Sequence, residues 1–169
     1  MIGLLTTLAA FATEPVEWTI SVDPLTFALG FAHVQIEHSL GSHASIYVGP
    51  SLKLFPGLLG TSAGDFRGYG GEIGGRAFFV GEAPEGGWVM LRAVVADVVG
   101  FPTVAGGRQS SLGGYSSVLL GYTAVTDAGL VLSGGAGLSF FDYGSAPGVE
   151  DYGLHGFLPA LHTAIGWAF

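Results

Sequence analysis

Seven ionisable side chains in this chain are placed so that a pleated strand would turn them all to one side: His33, Glu37, Lys53, Glu72, Arg76, Arg92 and His162. His33 sits between Ala32 and Val34, Arg76 between Gly75 and Ala77, Arg92 between Leu91 and Ala93, and His162 between Leu161 and Thr163. Successive side chains of a strand point to opposite faces, so a charged residue with such neighbours marks a polar face backed by a small or apolar one. Folding the chain about Glu82–Gly86 brings Arg76 nearly opposite Arg92. Like charges facing each other across a ladder are destabilising, so carboxylates are needed, and Glu37 and Glu72 are the candidates on that parity. Charges of both signs in a confined space can form an ion-pair plug, or an acid–base or gating centre. The plug is the reading these residues favour. Removing one partner of such a buried pair costs about 3–5 kcal/mol, which is reason enough to keep both.

Other chemistries lack their spacing. His33, His38, His43, His155 and His162 contain neither a paired short spacing nor the helical H-E-x-x-H pattern of zinc sites. His155 lies near Glu150 and Asp151 in one predicted loop, which offers weak surface metal binding at most. The glycine-rich run Gly71–Ala77 (GEIGGRA) falls within a predicted strand and opens no helix, so it is no phosphate cradle. No metal and no cofactor is expected.

The elements that would position these residues follow from composition and period. Of 169 residues, 49% are apolar and only 11% are Asp, Glu, Lys or Arg, against about 25% charged in a typical soluble domain. A chain of this length cannot hide that much apolar material in one core, so an outer surface in contact with something other than water is implied. The net charge of −8 with five basic residues argues against nucleic acid, whose phosphates need a basic patch. The absence of Cys rules out disulfide staples and thiolate metal sites. The first twelve residues, ending in Ala10-Phe11-Ala12, read as a signal peptide cleaved before Thr13. Residues 13–169 then form a single domain.

Period-two alternation recurs along that domain. It predicts strands over Val16–Asp23, Phe27–Ser39, Ala44–Phe55, Arg67–Val80, Gly87–Phe101, Leu112–Val125, Leu130–Tyr143 and Phe157–Phe169. One parity carries large apolar residues, such as Ile46, Val48, Leu91, Val95, Val118, Leu120, Leu132 and Leu138. The other carries glycine, serine and the ionisable set, with Gly49, Gly70, Gly74, Gly121, Gly135, Gly137 and Gly166 prominent. Short connections (Gly41–His43, Glu82–Gly86, Thr126–Gly129) alternate with longer ones (56–66, 102–111, 144–156). Pro24 breaks the first pair of strands, leaving either two separate strands or a bent strand with a small plug turn there. Outward aromatics collect at strand ends: Trp18, Phe79, Tyr122, Trp167 and Phe169 on the short-turn side, and Tyr69, Phe101, Phe140 and Phe157 on the loop side. Trp88 and Asp97 break the pattern, the first pointing inward and the second outward, unless a bulge shifts the register at Asp97. The prediction is an all-β, eight-stranded antiparallel up-and-down transmembrane β-barrel. Its apolar parity faces lipid and its small, polar parity faces a lumen that an eight-stranded barrel leaves just wide enough for side chains to fill.

The final strand, with Leu161, Ile165, Trp167 and the terminal Phe169 on one parity, resembles the assembly signal of bacterial outer-membrane barrels. The whole chain is similar in architecture to the small eight-stranded OmpA-like and lipid-A-deacylase-like group. The stretch Ser21–Leu40 is similar to barrels of unknown function that begin with an N-P-L-like turn and a later Glu, with Asp23 where those usually have Asn. The resemblance implies the bacterial outer membrane as location and its lipid and the barrel-assembly machinery as partners. It also implies a monomer with a structural, adhesive or receptor-like role carried by the long loops. Lipid A deacylases use a His-x-Ser pair with an acid on the lipid-facing surface. Here His43-Ala44-Ser45 matches as text but falls at a short turn, and His162 is followed by Thr163-Ala164. Two alternatives stand beside this reading: an outer-membrane lipid-modifying enzyme with its site on the outer barrel wall, and a soluble lipocalin-like binder, which would turn the apolar parity inward to a ligand.

Overall fold

The computed structural model describes residues 16–28, 30–53, 66–100, 109–143 and 155–169. The expected signal segment, the long loops for most of their length, and Phe101 lie outside the described residues. The described chain forms β1 (Trp18–Val22), α1 (Pro24–Ala28), β2 (Phe31–Ser39), β3 (Ala44–Lys53), β4 (Phe66–Glu82), β5 (Glu85–Gly100), β6 (Gln109–Val125), β7 (Leu130–Tyr143) and β8 (His155–Ala168). The strands close into one barrel in sequence order, each antiparallel to the next. This is the all-β, eight-stranded, up-and-down arrangement expected from the alternation. The ring is sealed where Trp18 N donates to Phe169 O at 3.0 Å and Phe169 N returns a bond to Trp18 O at 2.9 Å.

The two parities separate as the sequence predicts. Ile46, Val48, Leu91, Val95, Val118, Leu120, Leu132 and Leu138 are exposed on the outer wall. Thr19, Ser21, Gln35, Ser45, Ser117, Thr123, Ser133 and Ser139 are buried inside together with the ionisable set. An apolar cluster of Tyr47, Phe78, Trp88, Met90, Leu119 and Ala160 shares the interior with them, as do Val94, Val99 and Val131. The burial order of a water-soluble domain, apolar in and polar out, is therefore reversed.

Three details differ from the sequence reading. First, no strand covers Phe27 or Ala28; the chain leaves β1 after Val22 and turns through α1. Asp23 caps that turn, its Oδ1 accepting from Leu25 N at 3.0 Å and Thr26 N at 3.2 Å. Pro24 follows at the first helical position, where its missing N–H costs nothing. The strand count survives, but β1 is short. Second, β4 and β5 run further toward their turn than predicted, leaving Ala83-Pro84 between them, and the register shift falls between Phe78 and Val80. At Asp97 the ladder is regular, opposite Tyr69 on one side and Leu112 on the other, so Asp97 is exposed on the outer face without a bulge. Third, Arg76 is in register with Met90 and Arg92 with Gly74, so the two guanidinium groups are diagonal neighbours rather than opposite ones.

Candidate functional site

The lumen is the candidate site, because there the fold gathers residues from every part of the chain. All seven ionisable residues predicted for it are buried: His33, Glu37, Lys53, Glu72, Arg76, Arg92 and His162. The inward parity of β2, β3, β4, β5 and β8 supplies them, and the pleat alone decides their direction.

Arg76 occupies the centre. Its Nη1 lies 2.5 Å from Glu37 Oε2, and Ser45 Oγ donates to the other oxygen of the same carboxylate. Its second terminal nitrogen, Nη2, lies 3.1 Å from His162 Nε2. Because a guanidinium can only donate, His162 Nε2 carries the lone pair and its proton resides on Nδ1. Nδ1 lies 3.7 Å from Asp23 Oδ2, close enough for an electrostatic contact but too far for a hydrogen bond. The guanidinium plane is also flanked by aromatic rings, 5.1 Å from Trp88 and 5.6 Å from Tyr47, a favourable cation–π arrangement. Trp88 is fully buried and meets His162 edge-on at 5.8 Å. Its indole N–H donates to Thr123 Oγ1 at 2.8 Å, and Thr123 in turn bonds Ser133 Oγ at 2.8 Å.

Glycine makes room for these rings. A Cβ on Gly74 would come within 2.4 Å of the Tyr47 ring, and Cβ atoms on Gly121 and Gly135 within 2.4 and 2.6 Å of Trp88. These three glycines thus seat the rings, whereas at Gly49, Gly70, Gly137 and Gly166 a Cβ would meet the backbone of the neighbouring strand.

Further along the axis, His33 Nδ1 lies 3.2 Å from Glu72 Oε2, and Ser51 Oγ lies 3.4 Å from His33 Nε2. Lys53 Nζ stands 4.6 Å above the Phe31 ring. Arg92 is different. Its guanidinium stacks 5.2 Å from Tyr115, but among the described residues it makes no ion pair or hydrogen bond, and its Nε is buried without a partner. The expected pairing of Glu37 and Glu72 with the two arginines therefore holds for Arg76–Glu37 alone; Glu72 faces His33.

Residues that the sequence reading did not place in the site include Asp23, Gln35, Tyr47 and Thr163. Asp23 is almost completely buried and accepts a 2.6 Å bond from Thr163 Oγ1. Its signal was the Asp-Pro pair, a helix cap followed by a first-turn proline. Tyr47 lay on the inner parity and its burial was readable; Gln35 likewise.

On the outside, Leu161, Ile165, Trp167 and Phe169 form an exposed row along β8. Trp18, Phe79 and Tyr122 join Trp167 and Phe169 on the exposed surface toward the short-turn end, and Tyr69, Phe140 and Phe157 are exposed nearer the other end. His43 is exposed at a turn while Ser45 is buried with its hydroxyl committed to Glu37, so the two do not form a nucleophile–base pair. No group of three or more metal-ligating side chains occurs among the described residues. Comparison with known families, curated proteins and solved structures finds no match to this chain.

Proposed function

We propose that this chain is a bacterial outer-membrane β-barrel protein with a plugged polar lumen and a structural, adhesive or receptor-like role. The observation that carries the reading is the inverted burial: a coat of exposed Leu, Ile, Val and aromatic side chains around an interior where Ser, Thr, His and ion pairs outnumber the buried apolar residues. In water such a coat would be an aggregation hazard. In a bilayer it is the expected lipid-facing wall, and the ladder closes by joining the last strand to the first over Thr19–Val22 and Ile165–Ala168. The dimensions agree. On β6 the outward residues run from Leu112 to Tyr122, a rise of about 33 Å along the strand and roughly 25 Å along the axis at the usual barrel tilt, close to the height of an outer-membrane apolar band. The exposed aromatics near both ends suit the headgroup layers.

Arg76, Glu37, His162, Trp88 and Tyr47 fill the middle of the lumen, so passage of solutes through the axis is not the proposed role. The lipocalin-like alternative needs an apolar interior, and the lumen is polar. The lipid-deacylase alternative loses its one textual match, because Ser45 faces the lumen.

The test is fractionation of cells that express the full chain, followed by extraction. The protein is expected in the outer-membrane fraction, to need detergent, and to run faster on a gel unboiled than boiled. Recovery as a detergent-free soluble monomer would overturn the proposal.

A further inference from the structure

The lumen is electrically balanced on one condition. Its buried cations are Lys53, Arg76 and Arg92, and its buried carboxylates are Asp23, Glu37 and Glu72. Three charges of each sign cancel among the described residues, so the total is zero while the rings of His33 and His162, buried beside them, stay neutral. A proton taken up by either imidazole adds a charge that no carboxylate is left over to balance. Burying such a charge is costly.

The two rings differ in what a proton would meet. His33 already has a carboxylate oxygen, Glu72 Oε2, 3.2 Å from its Nδ1. His162 is an acceptor, its Nε2 taking a hydrogen bond from Arg76 Nη2 at 3.1 Å. That bond exists only for the neutral ring, because an imidazolium has no lone pair left. The other groups around His162 offer no remedy at that nitrogen. Trp88 on β5 meets the ring edge-on at 5.8 Å. Gly135, its partner across the ladder on β7, has no side chain. Ala160 and Ala164 flank it on the inner face of β8. Arg92 and His33 act on it electrostatically from farther away, and neither carries negative charge. A carboxylate stands only beside the other ring nitrogen, where Asp23 Oδ2 lies 3.7 Å from Nδ1.

Protonation therefore has a defined consequence. Nε2–H would face the N–H groups of Arg76, donor against donor and cation against cation. Parting them relieves the clash. The imidazolium moves toward Asp23, where an approach of about 1 Å makes a charge-assisted bond, and Arg76 keeps Glu37. Asp23 also caps α1 through Leu25 N and Thr26 N and is bonded to Thr163, so the pull on it reaches the corner between β1 and α1.

We propose that His162 is an acid-sensitive clasp on the plug. Neutral, it holds Arg76 at the centre of the lumen; protonated, it releases Arg76, pairs with Asp23 and loosens the packing around Trp88. This rests on the plugged-lumen reading above and adds a trigger to it.

The test uses the full chain in lipid nanodiscs with ¹⁵N-labelled histidine. Ring-nitrogen shifts are followed from pH 8 to pH 4.5, short of the range near about 4 where free carboxylates ordinarily protonate. At pH 8, His162 is expected to show a protonated Nδ1 and a bare Nε2. On acidification both nitrogens become protonated. The emission of Trp88, isolated by Trp18→Phe and Trp167→Phe, is expected to change in the same step and to recover at pH 8. Urea unfolding in micelles gives the energetic readout. The unfolded chain takes a proton on this ring below about pH 6.5, and the closed clasp does not. The unfolded state then binds one proton more, so the unfolding equilibrium constant is expected to rise about tenfold for each pH unit lost below that point, until the clasp opens. His162→Gln, whose amide oxygen can still accept from Arg76, is expected to lose both the fluorescence step and that tenfold slope, and His33→Gln to keep the step. A proton on Nε2 at pH 8, a Trp88 signal flat to pH 4.5, or a His162→Gln barrel with the wild-type pH response would overturn the proposal. The ring-nitrogen measurement needs no variant, so it stands even if the substituted chains fold poorly. Failure of the clasp alone leaves Arg76→Met destabilising, whereas failure of the plug reading removes that cost.

Discussion

Replacing Arg76 by Met tests whether the lumenal cluster holds the barrel together. Arg76 and Glu37 are both nearly inaccessible to solvent, and the pair is the hub for Ser45 and His162. Met keeps much of the volume between Tyr47 and Trp88 while removing the charge and all the donors. Glu37 then keeps only its Ser45 bond, and His162 Nε2 loses its donor. An uncompensated buried charge of this kind costs about 3–5 kcal/mol, a large share of the roughly 5–15 kcal/mol that typically separates folded from unfolded chains. The assay is reversible urea unfolding in detergent micelles or vesicles, followed by tryptophan fluorescence, with band mobility on unboiled gels as a second readout. The double variant Arg76→Met with Glu37→Met removes both charges, and more than half of the lost stability is expected to return, because an apolar replacement of a whole buried pair is often neutral or better. An Arg76→Met barrel within about 1 kcal/mol of wild type, inside the range of an ordinary point substitution, would refute the plug. So would a double variant as unstable as the sum of the singles, because the pair would then carry no coupling.

The outer wall offers a sharper test of environment. Val118→Arg, at mid-height on β6, is expected to cost about 2–4 kcal/mol if that face meets hydrocarbon, and next to nothing if it meets water; unfolding in vesicles distinguishes the two. Gly121→Val should displace the Trp88 ring and strain the ladder to β7, because the new Cβ would lie 2.4 Å from both the ring and the Gly134 carbonyl oxygen. A loss of about 1–3 kcal/mol is expected, with a change in near-ultraviolet circular dichroism; an unaltered aromatic spectrum would argue against the seating of Trp88 on glycine. Phe169→Ser is expected to lower the yield of membrane-inserted, heat-modifiable protein in cells far more than it lowers the stability of protein refolded in vitro. Equal effects on both would count against a role for the terminal residue in assembly.

How much of this was legible before any coordinates depends on the range of the interaction concerned. Which side chains face in and which face out is a local matter. Each strand's pleat fixes it, so the burial of Arg76, Glu37, Glu72, Arg92 and His162, and even the inward Trp88, followed from parity alone. The strand count and the alternation of short and long connections came from the same local signals. The turn at Asp23-Pro24 was local too, and the cap-plus-proline signal for α1 was present, but alternation on either side of it favoured strand. Partnership across the lumen was beyond the sequence. Arg76 meets Glu37 and His162, 39 and 86 positions away, because barrel closure and stagger bring three strands to one height. Parity says nothing about height. For the same reason the sequence showed two arginines and two glutamates of matching number, while only the closed barrel, through its stagger, turned Glu72 to His33 and left Arg92, among the described residues, stacked on Tyr115 without an ion pair.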